Sequence, residues 1–248
     1  GVLKFNGMFA FAIWDKKKQN IFLVRDRYGI KPLYYAKWGN TILFASEQKA
    51  ILEHPNAVKK IDKTALFEYF TFQNIFTEKT LIENIKLLKP ASIAKIEYKK
   101  RNQITIYQYW DYHFKESPKF KNKLEYSEEL DRLLKQSVNR QLVSDVELGS
   151  YLSGGMDSGT LTALASKQLP YIKTFTCGFD LSSASGLELA FDEREKAEAM
   201  SALYKTEHYE MVLKSGDMER ILPKFSWHLE EPRVGQSYPN YYAAGLAS

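Results

Sequence analysis

The stretch Tyr151-Leu152-Ser153-Gly154-Gly155-Met156-Asp157-Ser158-Gly159 sets two glycines among hydroxyls and one carboxylate. An apolar run ends just before it and a helix-like run begins just after it. At such a helix start, unpaired backbone N–H groups point outward and the helix dipole adds partial positive charge. Gly154 and Gly155 have no Cβ, so the backbone can approach an anion, and Ser153 and Ser158 add hydroxyl donors. These are the parts of a phosphate cradle. The sequence lacks the lysine of G-x-x-x-x-G-K-[ST], and it matches neither G-x-G-x-x-G nor G-x-S-x-G. A carboxylate repels phosphates, so Asp157 fits the cradle only if a Mg²⁺ lies between them. The competing reading is a capped turn, because Ser or Asp before a helix and Gly-Gly in a loop are both common.

The flanking pattern must position this turn. Residues 127–142 carry Leu130, Leu133, Leu134, Val138 and Leu142 at helical spacing, with Ser127 as the expected cap. Strand-like 147–152 leads into the turn, and residues 157–168 read as the helix after it. A strand over 171–179, a helix over 192–204 with Ala197, Met200 and Tyr204 on one face, and a strand over 207–213 follow. Another helix follows and is expected to bend or break at Pro223, and the chain ends at "AAGLAS" inside an apparently helical pattern. Strands alternating with helices argue for a parallel sheet covered on both faces, with ligands beyond the carboxyl ends of its strands.

The first half reads differently. Residues 8–14 and 21–25 flank a polar turn, 33–38 and 41–46 flank Gly39-Asn40, and "SIAKIEY" and "ITIYQYW" flank "KKRN". Each pair predicts a hairpin. A short helix follows Ser46, and Asp62 is placed to cap another. "KESPKFKNK", 115–123, reads as a linker. The organisation expected is α/β in two domains, with 1–57 closing a first domain, 58–123 joining, and 124–248 opening a second.

The totals are those of a globular chain. Of 248 residues, 35 are Lys or Arg and 30 are Asp or Glu, a net charge of +5. The lysine runs at 16–18, 59–60 and 99–101 fall at apparent turns, so a nucleic-acid surface is not expected. One cysteine and four scattered histidines leave no metal cluster. No apolar run approaches the roughly 20 residues of a membrane span, and no signal peptide is visible, so no membrane partner and a cytoplasmic location are expected.

The turn resembles the S-G-G-x-D-S pyrophosphate loop of the ATP pyrophosphatase (PP-loop) enzymes. "NGMFAFAIWD", "RDRYGIKPLYY" and "FASEQKAIL" are similar to the later part of the glutaminase domain of class II glutamine amidotransferases. "YFTFQNIFTEKTLIENIKLLKPAS" and "DRLLKQSVNRQLVSDVELGSYLSGGMDS" resemble the joining segment and synthetase entry of the asparagine synthetases. The resemblance covers nearly the whole chain, in order. It implies the end of an Ntn-type α+β glutaminase sandwich followed by a parallel α/β PP-loop domain. It also implies a glutamine-hydrolysing carbon–nitrogen ligase acting on glutamine, aspartate and ATP with Mg²⁺. Glutamine-derived ammonia would convert β-aspartyl-AMP to asparagine, with AMP and pyrophosphate released.

Carried over residue by residue, the resemblance puts Ser153, Gly154, Gly155 and Ser158 on the pyrophosphate end of ATP and Asp157 on Mg²⁺. Leu152 and Cys177, at neighbouring strand ends, would contact the adenosine part. Cys177 is then a wall residue, and a plain buried strand cysteine is the simpler account of it. Asp192 and Glu193, in "FDEREKAEAM", would lie near the nucleotide, though a solvated helix start explains them too. Glu230 and Glu231, in "LEEP", match a D-E-P run except for the first acid and would lie near the acceptor. "RDRYGIKP" is read as structural. A homodimer is compatible with the family.

The resemblance has gaps. The glutaminase cysteine and the residues that hold glutamine would lie before Gly1, so no catalytic residue of that half is expected here. The S-G-E-G-x-D-E segment would lie after Ser248. The chain is expected to be an internal fragment, inactive alone. The alternatives are a relative that amidates another carboxylate, a non-catalytic ATP-binding module, and another PP-loop enzyme such as an NAD synthetase or a tRNA-thiolating enzyme. The glutaminase-like opening weighs against the last.

Overall fold

A computed structural model describes residues 1–115, 122–182, 192–232 and 237–248. The chain forms two compact units. The first holds Gly1–Lys115 with the described residues of His228–Val234, and the second holds the rest. The presumed linker lies largely outside the described residues.

In the first unit the hairpins form as their turns dictate. Strands β1 (Ala10–Asp15) and β2 (Asn20–Arg25) pair antiparallel, as do β3 (Tyr34–Trp38) and β4 (Thr41–Ala45), the latter across Gly39 at φ +58°. Asp15 closes the first turn by accepting the amides of Lys17 and Lys18, both at 3.0 Å. Helices α1 (Gln48–Leu52) and α2 (Lys63–Phe72) follow, and Asp62 caps α2 by accepting the Ala65 amide at 3.0 Å. Strands β5 (Ile85–Leu87), β6 (Ser92–Glu97) and β7 (Gln103–Gln108) then join the earlier ones, giving sheets of order β1-β2-β6-β7 and β4-β3-β5.

Alternation places one face of each sheet in a shared core. Leu23, Ala94 and Ile96 of the first sheet meet Tyr35 of the second. The opposite face of β3, with Tyr34 and Ala36, packs on Ile51 of α1 and Ile85 of β5. This gives layers of sheet, sheet and helix. Burial pushes the phenols of Tyr34 and Tyr35 up to about 12.

The 25–31 loop is a polar knot. Asp26 is 1% exposed and accepts the amides of Phe9 (3.3 Å), Tyr28 and Ile30 (3.1 Å each) and Lys31 (3.0 Å). Arg25 donates to the carbonyls of Lys31, Leu88 and Gly29. Burial pushes the Asp26 carboxyl upward, but the converging amides outweigh it and hold it below the ordinary carboxylate value.

The second unit begins with α3 (Lys123–Gln141). Its cap is Asn122, which accepts the Glu125 amide at 3.0 Å. Ser127, the expected cap, lies one turn inside and returns its hydroxyl to the Lys123 carbonyl. The helix starts earlier because Asn122 satisfies an orphan amide and also donates to the Glu125 carboxylate, whereas the apolar pattern only marks where packing begins.

Strands β8 (Gly149–Tyr151), β9 (Lys173–Phe179) and β10 (Glu207–Leu213) form a parallel sheet of order β10-β9-β8. Helix α4 (Met156–Ser166) follows β8, and α5 (Arg194–Tyr204) precedes β10. Helices α6 (Asp217–Leu229) and α7 (Tyr238–Ala247) bring Ile221 and Tyr238 against Phe179 and Leu213 on one face of the sheet. On the other face Thr174 bonds Thr206, which bonds Ser201 of α5. Helix α6 runs unbroken through Pro223, contrary to a break there. Its amphipathic contacts through Ile221 and Phe225 hold it together despite one missing amide. No helix among the described residues is long and apolar enough to cross a membrane.

Candidate functional site

The glycine turn stands at the carboxyl end of β8, in the second unit. Leu152 is 1% exposed, and its amide donates to the Phe175 carbonyl at 3.0 Å. Its own carbonyl accepts the Thr176 hydroxyl, so the strand end is pinned to β9 from both sides. Gly154 sits at φ +72°, and a Cβ there would fall 2.5 Å from the Cβ of Lys196 and 3.1 Å from the Ala197 nitrogen. Only glycine lets the turn lie this close to the start of α5. The sequence reading gave Gly154 to an approaching anion, and the geometry adds a packing reason.

Gly155 is the N-cap of α4, and no side chain caps this helix. The serines instead bond within the loop, where Ser153 Oγ also accepts the Gly155 amide at 3.4 Å. Ser153 Oγ and Ser158 Oγ are 3.0 Å apart, the Ser153 amide donates to Ser158 Oγ at 3.1 Å, and Ser158 Oγ also lies 3.3 Å from the Gly155 carbonyl. The hydroxyls brace the loop while the first-turn amides of α4 have no side-chain acceptor. Asp157 is exposed in that first turn. It makes no hydrogen bond or ion pair to the described residues.

A cavity of about 300 Å³ opens beside the turn, on the sheet face covered by α7. Leu152, Ser153, Cys177 and Glu193 line it, so four of the sequence-derived residues converge there. Burial pushes the Cys177 thiol up to about 11, so it stays protonated and serves as wall. Sequence reading missed Phe175 and Phe179, although both alternate with Cys177 along β9 and so share its face. It also missed Pro239, Asn240 and Ala243 of α7, for which the sequence holds no signal beyond a proline suited to a helix start.

The acidic pair at 192–193 divides. Asp192 accepts the Phe179 amide at 3.2 Å, the Arg194 amide at 3.1 Å and the Arg194 guanidinium at 2.7 Å. Burial raises its carboxyl, but the Arg194 bonds prevail and hold it below the usual range. Asp192 thus ties the end of β9 to the start of α5, in the space that Gly178 leaves for the Arg194 side chain. Glu193 is the member that lines the cavity. Glu230 and Glu231 do not line it. Glu230 belongs to the first unit, where its carboxylate accepts the amides of Gln48 and Lys49, both at 2.7 Å, and pairs with the Lys49 ammonium at 3.4 Å.

Comparison with known proteins fits this arrangement. Residues 1–110 match the glutamine amidotransferase domain model and residues 129–248 match the asparagine synthase model. The chain is 34% identical over 242 residues to asparagine synthetase [glutamine-hydrolyzing] 1 of Bacillus subtilis, covering 97% of this chain and 36% of the relative. It is 35% identical over 254 residues to putative asparagine synthetase [glutamine-hydrolyzing] 2 of Methanocaldococcus jannaschii, covering 99% and 47%. It is 29% identical over 245 residues to amidase chry2 of Gibberella zeae, covering 91% and 34%. The chain thus spans between about a third and a half of the length of these curated relatives. With both domain models matched in order along it, the chain belongs to the glutamine-hydrolysing asparagine synthetase family.

Proposed function

We propose that the protein containing this chain is an asparagine synthetase that uses glutamine as nitrogen donor, and that the turn at 153–158 holds the departing pyrophosphate of ATP. One observation carries this reading: an uncapped helix start, braced by two serines, beside an apolar cleft at the carboxyl ends of parallel strands. Residues 1–57 would be the later part of an Ntn-type glutaminase sandwich, and 58–123 the joining segment, which also contributes β5–β7. Residues 124–248 would be the opening part of a PP-loop synthetase domain.

In this reaction an oxygen of the aspartate side-chain carboxylate attacks the α-phosphorus of ATP. The bond to the bridging oxygen breaks and pyrophosphate leaves. Ammonia then attacks the acyl carbon of β-aspartyl-AMP, and AMP departs with the bonding pair. The amides of Gly155, Met156 and Asp157 and the hydroxyls of Ser153 and Ser158 donate to the departing phosphates, whose charge grows as the bond breaks. Leu152 and Cys177 bound the adenosine, and Glu193 faces it.

Asp157 suits a magnesium ion. Its carboxylate is exposed and uncommitted, and no group of three or more acids, histidines or cysteines among the described residues could hold a metal. An ion here would take its other ligands from phosphate and water, as Mg²⁺ does. When bound, it would neutralise charge on the pyrophosphate.

One relative, amidase chry2, does not carry the name of an asparagine synthetase, which leaves a second reading, the same adenylation chemistry with another carboxylate. Exchange of labelled pyrophosphate into ATP by the full-length protein separates the two. Exchange that depends on aspartate is expected. Exchange stimulated only by other carboxylates favours the second reading, and none with any carboxylate removes both.

A further inference from the structure

We infer that the first unit carries a flat cationic end that docks on an anionic lipid surface. This end shares no residue with the cleft of the second unit.

The register of the first sheet builds this end. Asp15 pairs with Asn20, Asn20 with Glu97 and Glu97 with Gln103, so one row of residues crosses all four strands. The β1–β2 and β6–β7 turns therefore leave the sheet side by side at the same level. The Tyr98 amide joins them by donating to the Gln19 carbonyl at 3.2 Å. The β3–β4 turn is tied to the same end. The Asn102 side chain donates to the Asn40 carbonyl, and the Lys37 ammonium donates to the carbonyls of Asn102 at 2.9 Å and Arg101 at 3.3 Å. Each lysine run by itself is an ordinary solvated turn. The pairing of β2 with β6, which no local pattern announces, sets two of the runs together.

The tips, residues 15–19, 37–41 and 95–103, carry Lys16, Lys17 and Lys18 on the first turn and Lys37 beside the third. Lys95, Lys99, Lys100 and Arg101 belong to the other turn. Against these eight cations stand two acids, Asp15 and Glu97, a surplus larger than the +5 of the whole chain. Glu97 is already shared by Lys95 at 3.1 Å and Lys100 at 3.3 Å. Lys16, Lys17, Lys18, Lys99 and Arg101 are exposed and make no ion pair to the described residues. With strands roughly 5 Å apart the row is about 15 Å long. Neighbouring charges therefore stand within about one Debye length at 0.1 M salt, and their fields add. Shape selects the occupant. A flush row of turns suits a broad, flat polyanion. Four of the five uncommitted cations are lysines, point charges without the fork of arginine. Of the described residues in these tips, Tyr98 is the only exposed aromatic, at 64%. One ring is too few to stack a run of bases, but it suits the headgroup level of a bilayer. Each lysine near an anionic bilayer strengthens adsorption by about 5-fold.

The test is co-sedimentation of the full-length protein with phosphatidylcholine vesicles, with and without about 30% phosphatidylglycerol, at about 0.1 M salt. Binding to the anionic vesicles alone is expected, weakening as salt rises. Lys16→Ser combined with Lys18→Ser is expected to weaken it by about 30-fold, and Lys99→Ser combined with Arg101→Ser by a similar factor. Lys59→Ser combined with Lys60→Ser removes the same charge elsewhere and should change binding by less than about 3-fold. All six side chains are exposed, so thermal scans of the variants should match wild type. An equal loss in the 59–60 variant would assign binding to net charge and overturn the inference. Absence of wild-type binding to the anionic vesicles would overturn it too. A preference for a short DNA duplex over the vesicles, abolished in the same tip variants, would make nucleic acid the occupant and equally contradict it.

Discussion

Replacing Asp157 with alanine in the full-length protein is expected to slow pyrophosphate–ATP exchange by about 10³-fold, with no comparable change in stability. The residue is exposed and bonded to nothing among the described residues, so folding loses little. The one structural contribution expected of it is that of an acid in the first turn of a helix, about 0.3–1 kcal/mol. Catalysis has more at stake. Without the carboxylate, nothing from this turn fixes the cation that offsets the charge on the leaving pyrophosphate. Part of the loss should return at high Mg²⁺, because weakened metal binding is the cause. The check is initial exchange rate against Mg²⁺ concentration, alongside a thermal scan. A rate within about 3-fold of wild type at limiting Mg²⁺ would reduce Asp157 to a helix-start acid.

The second large effect is on stability, at Asp26. Asp26→Ala withdraws the acceptor from four amides that converge on a side chain 1% exposed. An unsatisfied buried amide costs about 1–3 kcal/mol, so the loss should reach at least about 3 kcal/mol even if water reaches some of them. That is a large part of the roughly 5–15 kcal/mol that holds a domain folded. Hydrogen exchange should accelerate first at Phe9, Tyr28, Ile30 and Lys31. The pH dependence has a definite sign. Because the folded carboxyl is held below its ordinary value, its contribution is full above that value and is lost as pH falls through the depressed one. Asp26→Asn should therefore lack this segment of acid destabilisation. Unchanged exchange at those amides in Asp26→Ala would contradict the role.

Local patterns carried much of the fold. The β1–β2 and β3–β4 hairpins, the Asp62 cap and the alternation of strands and helices after residue 124 were all legible, because each depends on residues a few positions apart. Long-range pairing was not. Strand β6 lies beside β2 in a register that sets Asn20 against Glu97, and no local feature of either strand names the other. Glu230 accepts amides 181 and 182 positions away, which "LEEP" alone could not reveal.

The candidate site divides in the same way. The turn was readable as a short motif, and Leu152 and Cys177 came from the family resemblance, which sets them at neighbouring strand ends. The split between Asp192 and Glu193 needed coordinates, because adjacent acids look alike until Arg194 claims one of them. Asn240 was invisible because its helix enters the cleft from a part of the chain more than eighty residues past the turn.

The most direct test of the central claim is a structure of the full-length protein with a non-hydrolysable ATP analogue and Mg²⁺. The account predicts the β- and γ-phosphates against the amides of Gly155 to Asp157 and the Ser153 and Ser158 hydroxyls, with the Asp157 carboxylate on the metal. A triphosphate bound elsewhere, with Ser153 and Ser158 still bonded to each other and Asp157 touching no ion, would contradict it.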